Sequence, residues 1–487
     1  MALTLAVLLC FASGYFIAAL GWPRRPRPSD FAVLDSLAAG CGLGLFSFVY
    51  ILSRAAGNNH LIATDLAVFG LFLVAFLLIR SRQPAQVSGP TENWQASFAA
   101  RRILTAVFLF ALAAALYAAI TRVIVHPHGE GWDAFSIWNL HARFLFRSGS
   151  AWSQGVSPLI PWSHPDYPLL TPGAIAHFWT YIGHEIQAVP ALIAIVFTFA
   201  TVGLLYSSLT LLRGRISAML ASLALVTTPF FIGQGTSQYA DVPLSFFVLA
   251  AVSLLCLHDS FVESGCTRTN RLLILVGVNA GFAAWTKNEG LLFLAALIAA
   301  RVLTVIRGPA SNTSVPDRTA ILSIAPLLLG TAPALLIIAW FKHFIAPPGD
   351  LFPDRALAIH KLFEPSRYGA VLRWYGKEFL RFGEWLLIPG TLLLIAFYFA
   401  LRKPEPQTRR LAPGFATSYL ALSLTLAGYF VIYLITPRDI YWHLRNSLNR
   451  LFLQLWPSAI FLVFLLMTPT VKIPAQISGH LPPATPQ

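Results

Sequence analysis

GEGWDAFSIWNLHARFLFRSGSAWSQGVSPLIPWSHPDYP, residues 129–168, gathers acids, bases and tryptophans between two long apolar runs. Asp133 stands where a helix would start, after Gly129 and Gly131. From there Phe135, Trp138, Ala142 and Leu145 recur on one face at helical spacing, with Ser136, Asn139, Arg143 and Arg147 on another. The pattern predicts an amphipathic helix along a membrane surface, with a carboxylate at its N-terminal end. A plainer reading also fits: an interfacial loop whose tryptophans anchor it at headgroup depth.

Outward from this stretch the chain is apolar. Its 487 residues are 56% hydrophobic and 11% charged, with a mean hydropathy of +0.67. A soluble chain carries roughly 25% charged residues. The composition predicts an all-α polytopic integral membrane protein with amphipathic helices in a large outer loop. The net charge of +14 then belongs to cytoplasmic loops and lipid contacts, and nucleic acid is not expected as a partner. Cys10, Cys41, Cys256 and Cys266 suggest no disulfide framework.

About thirteen spans of roughly twenty apolar residues can be marked. They fall at 1–20, 31–53, 61–80, 103–121, 188–212, 216–234, 240–258, 270–286, 288–306, 320–345, 383–401, 413–435 and 451–469. The first lacks a basic segment in front and is followed by Arg24, Arg25 and Arg27. It therefore reads as a span with its N-terminus outside rather than a cleaved signal. Asp35 and Asp65 lie near span ends and read as interfacial. Ile175, Phe178, Trp179 and Ile182 mark a second short amphipathic segment. Residues 1–100 form three N-terminal spans and a polar linker. Residues 101–470 form a core with outer loops at 122–187 and 346–382, and 471–487 a disordered cytoplasmic tail.

With that topology the short inner loops hold the larger share of the 34 lysines and arginines, as the positive-inside bias requires. The polar constellations all reach the other face. They are Glu130 and Asp133; His164, Asp166 and Tyr167; Tyr239 and Asp241; Lys287 and Glu289; and Arg438, His443, Arg445 and Arg450 in a short outer loop at 436–450. Each has an ordinary reading. Asp241 before Val-Pro could cap a helix, and Lys287 with Glu289 could be snorkelling charges. The arginines could touch lipid headgroups. Their convergence on one face suits a site at one membrane surface. A transporter or flippase of a lipid-linked saccharide is the alternative, and would put ionisable groups at mid-membrane.

The order of these motifs resembles a known family. An outer loop with an acid at a helix start is followed by Tyr-Ala-Asp-Val-Pro at 239–243, Trp-Thr-Lys-Asn-Glu-Gly at 285–290 and an arginine-rich outer loop before the last span. This is similar to the GT-C superfamily of membrane glycosyltransferases that use polyprenyl-phosphate sugars. It is most like bacterial relatives of protein O-mannosyltransferases and of the lipid A aminoarabinose transferase. The resemblance runs over roughly residues 100–470, and the first three spans fall outside it.

The resemblance implies an inverting transfer of sugar to an envelope acceptor, which is a glycolipid, polysaccharide or protein. The site would face the periplasm or exterior of a bacterial inner membrane. Asp133 becomes the general base and Asp241 a second polar wall. Lys287, Arg438, Arg445 and Arg450 become candidates to hold the lipid phosphate, with Arg143 a further one. Glu130, His164, Asp166, Tyr239 and Glu289 complete the expected substrate-binding set. A divalent metal ion on Asp133, Asp241, His164 and Asp166 is a further expectation, though those residues form no fixed-spacing signature.

Overall fold

The computed structural model describes residues 2–81, 98–306, 324–349, 355–385, 390 and 412–466. Among them there is no strand, and 10 helices are long and apolar enough to cross a membrane. The protein is an all-α polytopic membrane protein. In lipid every backbone N–H and C=O needs an internal partner, and the helix supplies it within one segment.

Four helices precede the outer loop: α1 (Ala2–Gly21), α2 (Pro28–Ala55), α3 (Leu61–Ser81) and α4 (Phe98–Val125). The loop carries α5 (Asn139–Arg147) and α6 (Leu170–Ile182). Then come α7 (Ala188–Arg213), α8 (Arg215–Val226), α9 (Pro229–Thr236), α10 (Asp241–Glu263), α11 (Asn270–Thr286) and α12 (Asn288–Ile306). The chain continues through α13 (Ala325–Phe344), α14 (Arg355–Leu362), α15 (Pro365–Arg381), α16 (Pro413–Ile435) and α17 (Ile440–Leu465).

The expected spans that fall on described residues are found as helices, with two differences. The span at 216–234 is broken: α8 and α9 meet at 67°, across a break that ends on Pro229, whose ring cannot continue a ladder. The last span begins at Ile440, so His443, Arg445 and Arg450 sit in its first turns rather than in a loop. Residues 270–286 do form a helix, α11, of 17 residues. Most of 383–401 and all of 471–487 lie outside the described residues, as does most of the linker after α3.

Helix α10 is the axis of the bundle, and the whole of its apolar window is buried. It packs on α7, α11, α16 and α17, while α2 lies between α1, α6 and α7. The N-terminal helices are thus part of one core and not an appendage. Lipid supplies no hydrophobic drive between helices, so close approach rests on small residues. At the crossing of α11 and α13, a Cβ on Gly277 would collide with the Leu327 carbonyl, and one on Gly330 with that of Ile274.

Asp65 departs from the interfacial expectation. It is fully buried, receives a hydrogen bond from Tyr181 (2.6 Å) and lies 2.8 Å from His177 Nε2, which ties α3 to α6. For the same reason α6 is not an amphipathic surface helix. Its residues are buried on nearly every side.

Candidate active site

The loop before α5 is shaped by its glycines. Gly129 and Gly131 both take positive φ. At Gly131 a Cβ would fall 2.5 Å from the Tyr239 hydroxyl, so this turn can close on Tyr239 only without a side chain. Asp133 follows, and Ala134–Trp138 form a π-helical turn before α5. The wider turn rotates what comes before α5. Phe135 is 45% exposed, whereas Ser136 and Asn139, expected on the polar face, are buried. Asp133 does not cap the helix with its side chain. Its carboxylate reaches Arg450 instead.

Arg450 is the hub. Its Nη2 lies 2.7 Å from Asp133 Oδ2 and its Nε 2.8 Å from Asp241 Oδ2, and its guanidinium stacks 4.7 Å from the centre of the Tyr239 ring. Asp241 opens α10 but caps nothing with its side chain. Its Oδ1 accepts from Lys287 (3.0 Å) and from Gln454 (2.6 Å), and Gln454 in turn accepts from the Tyr429 hydroxyl (2.7 Å). Lys287, the single extended residue between α11 and α12, also pairs with Glu289 at 2.8 Å. A buried carboxylate survives in such a place only when every lone pair is met. The Asp133 and Arg450 side chains stay 21% and 15% exposed, so the cluster opens to the outside at that edge.

A second arm leads away from Lys287, whose ammonium stands 6.0 Å from the Tyr167 ring. His164 stacks on Tyr167 at 4.7 Å, and Tyr167 on Trp138 at 5.7 Å. Asp166 accepts from Asn288 Nδ2 (2.7 Å) and lies 3.4 Å from Lys342 Nζ, which also donates to the Asp166 carbonyl and to Asn288 Oδ1 (2.9 Å).

The structure thus brings together Asp133, Tyr239, Asp241, Lys287, Glu289 and Arg450, with His164 and Asp166 on the adjoining arm. It does not bring in Glu130, which pairs with Arg122, or Arg438, which lies over Trp442 at 5.4 Å. Arg445 is on the exposed side of α17. Sequence reasoning missed Gln454 and Tyr429, polar groups inside spans, and Lys342, which was absorbed as the charged end of a hydrophobic run. A buried polar residue in a span is itself a functional signal, and Gln454 carried it.

The expected metal set does not fit. Asp241 is satisfied by Arg450, Lys287 and Gln454, and Asp166 by Asn288 and Lys342. Among the described residues no three His, Cys, Asp or Glu side chains stand together as ligands.

Outside the spans, burial and the nearby Asp133 carboxylate push the Tyr239 phenol up to about 12, so it keeps its proton and can donate. The central cluster holds three carboxylates (Asp133, Asp241 and Glu289) against two cations, Lys287 and Arg450. Its excess is negative. Such a centre favours positive charge developing on a sugar ring over direct capture of a phosphate.

Residues 163–337 match the family model described as dolichyl-phosphate-mannose-protein mannosyltransferase. No curated protein and no solved structure matches the chain. The matched stretch carries His164, Asp166, Tyr239, Asp241, Lys287 and Glu289; Lys342 lies just beyond it, and Asp133 and Arg450 at greater remove. Geometry joins these to the matched residues, through Asp166 for the first and Asp241 for the others.

Proposed function

We propose that this GT-C-type glycosyltransferase, a multi-pass membrane protein that draws on a polyprenyl-phosphate-linked sugar, transfers that sugar with inversion to an envelope acceptor at the outer membrane face. The observation that carries the reading is the bridge from Asp133 through Arg450 to Asp241, which links a loop carboxylate to the family-matched core.

The acceptor hydroxyl attacks the anomeric carbon while its proton passes to the Asp133 carboxylate. A new carbon–oxygen bond forms there, and the bond from the anomeric carbon to the phosphate oxygen breaks, its electron pair leaving with the lipid phosphate. Asp133 takes the proton and, with the negative excess around it, faces the cationic ring. Arg450 holds the Asp133 carboxylate in place and presents the nearest guanidinium to the departing phosphate. Arg438 and Arg445, at the outer end of α17, lie where a lipid headgroup would enter, its tail remaining in hydrocarbon. His164, Asp166 and the Tyr167 and Tyr239 rings supply flat and polar surfaces for sugar. Glu130 acts through Arg122 and supports the loop.

Against the transporter reading, the carboxylates Asp133, Asp241 and Glu289 and the Lys287 ammonium lie at helix starts or breaks, and only Arg450 reaches them from within a span. Purified protein in lipid should consume a polyprenyl-phosphate sugar, and Arg450→Gln should weaken that use at least tenfold. Turnover with a nucleotide sugar alone, in lipid-free detergent, would refute the proposal.

A further inference from the structure

A second polar site lies on the far side of the loop helix. Between α5, the end of α6 and the start of α7 is a cavity of about 470 Å³, walled by Asn139, Arg143, Arg147, Glu185 and Gln187. Arg147 Nη2 lies 2.7 Å from Glu185 Oε2, and Arg143 Nε 3.6 Å from the same oxygen. Two guanidinium groups thus share one carboxylate, which leaves one positive charge over. Gln187 reaches across to His128 at 2.9 Å.

Asn139 supplies the independent observation. It is buried, and its amide nitrogen donates to Gln238 Oε1 at 2.8 Å. Its Oδ1 is buried with no hydrogen-bond partner among the described residues. A buried acceptor without a donor is costly to leave unmet, and a ligand hydroxyl would meet it. Asn139 also follows Asp133 across the π-helical turn, and Gln238, which accepts from it, adjoins Tyr239. The cavity and the reacting centre therefore share a wall.

We propose that this cavity is the acceptor subsite and takes an acidic saccharide, its carboxylate or phosphate on Arg143 and Arg147 and a hydroxyl on Asn139 Oδ1. The assignment to an acceptor rests on the transfer reading above. The chemistry of the pocket does not. Guanidinium groups suit planar or tetrahedral anions through paired hydrogen bonds, and amide oxygens suit hydroxyls.

The test uses full-length protein in phosphatidylcholine nanodiscs, titrated calorimetrically with glucuronate, glucose 1-phosphate and neutral glucose. The two anions should bind and glucose should bind at least tenfold more weakly. Arg147→Gln and Arg143→Gln should each weaken anion binding at least tenfold, and Arg147→Lys should recover part of it. In transfer assays the same variants should raise KM for acceptor and leave KM for donor. Equal binding of glucose, or anion binding indifferent to both arginines, would overturn the proposal. Glucuronosyl diacylglycerol placed in the disc gives the source. Tighter binding than free glucuronate puts the saccharide on a lipid, weaker binding on a soluble or polymeric glycan. Anion binding that persists in protein with no donor turnover would count against the transfer reading alone.

Discussion

Asp133 and Asp241 are both carboxylates bound to one guanidinium, yet they should fail differently. Asp133→Asn removes the proton acceptor while Arg450 keeps Asp241. Transfer should fall at least a hundredfold, about 2.7 kcal/mol of barrier, with melting temperature nearly unchanged. Retention of more than a tenth of the activity would move the role elsewhere. Asp241→Ala strips a buried carboxylate from the buried Lys287 and the partly buried Arg450. Breaking such a pair costs about 3–5 kcal/mol, so expression and melting temperature in nanodiscs should drop steeply. A variant that melts with the parent would show that Lys287 and Arg450 are balanced by something else. These two side chains were both legible in the sequence as acids at helix starts. What was not legible was their common partner, because Arg450 lay in a stretch read as loop and the approach of α17 to α10 is a fact of packing.

Elements were read better than their faces. Span existence followed from apolar length, which the bilayer dictates. The face of the loop helix was read correctly at Trp138, Ala142, Leu145, Arg143 and Arg147 but missed at Phe135, Ser136 and Asn139, because a π-helical turn shifts the register there and period arithmetic assumes a regular helix. In α5, His141 is buried beside Ser163, and burial, with the His164 imidazole adding to it, holds the His141 imidazole down at about 4. An unfolded histidine protonates near 6.5. The folded loop resists that proton, so its contribution to stability is full above about pH 6.5 and is lost as pH falls toward 4. Melting curves at pH 7, 5 and 4 should show the loss, with a slope no steeper than about 1.4 kcal/mol per pH unit, and His141→Gln should flatten it. Equal slopes in parent and variant would count against the assignment. The helix crossing at Gly277 and Gly330 carries its own expectation. Gly277→Val should abolish folded yield on gel filtration, whereas Gly70→Val, where a Cβ meets nothing within 4 Å, should be tolerated.

For the whole molecule the decisive quantity is sidedness. In a cysteine-free background, single cysteines at exposed Gly57, Ser150 and His360 should react with an impermeant thiol reagent in intact cells, and one at Gly265 should not. Reversal would put the cluster in the cytoplasm and remove the argument for a lipid-phosphate donor. Ser237, although near the site, is buried and cannot report on it. The sequence reading placed the polar constellations between spans on one face, with scattered arginines on the other. It could not show that α2, nominally outside the family pattern, packs into the same core, since that depends on which spans pack against which.

The spread of the central charges over the chain also sets an order of birth. Synthesis runs from the N-terminus, so Asp133 and Asp241 emerge first, the hairpin of α11 and α12 brings Lys287 next, and Arg450 arrives last on α17. Until then Asp133 lacks the guanidinium it pairs with in the finished fold, and Asp241 has Lys287 but neither Arg450 nor Gln454. The circuit therefore closes only when the last described helix packs against α10. A nascent chain halted after α16 carries most of its spans in place yet advertises an uncompensated acidic face to quality-control proteases, which should clear it faster than the full-length Asp133→Asn enzyme.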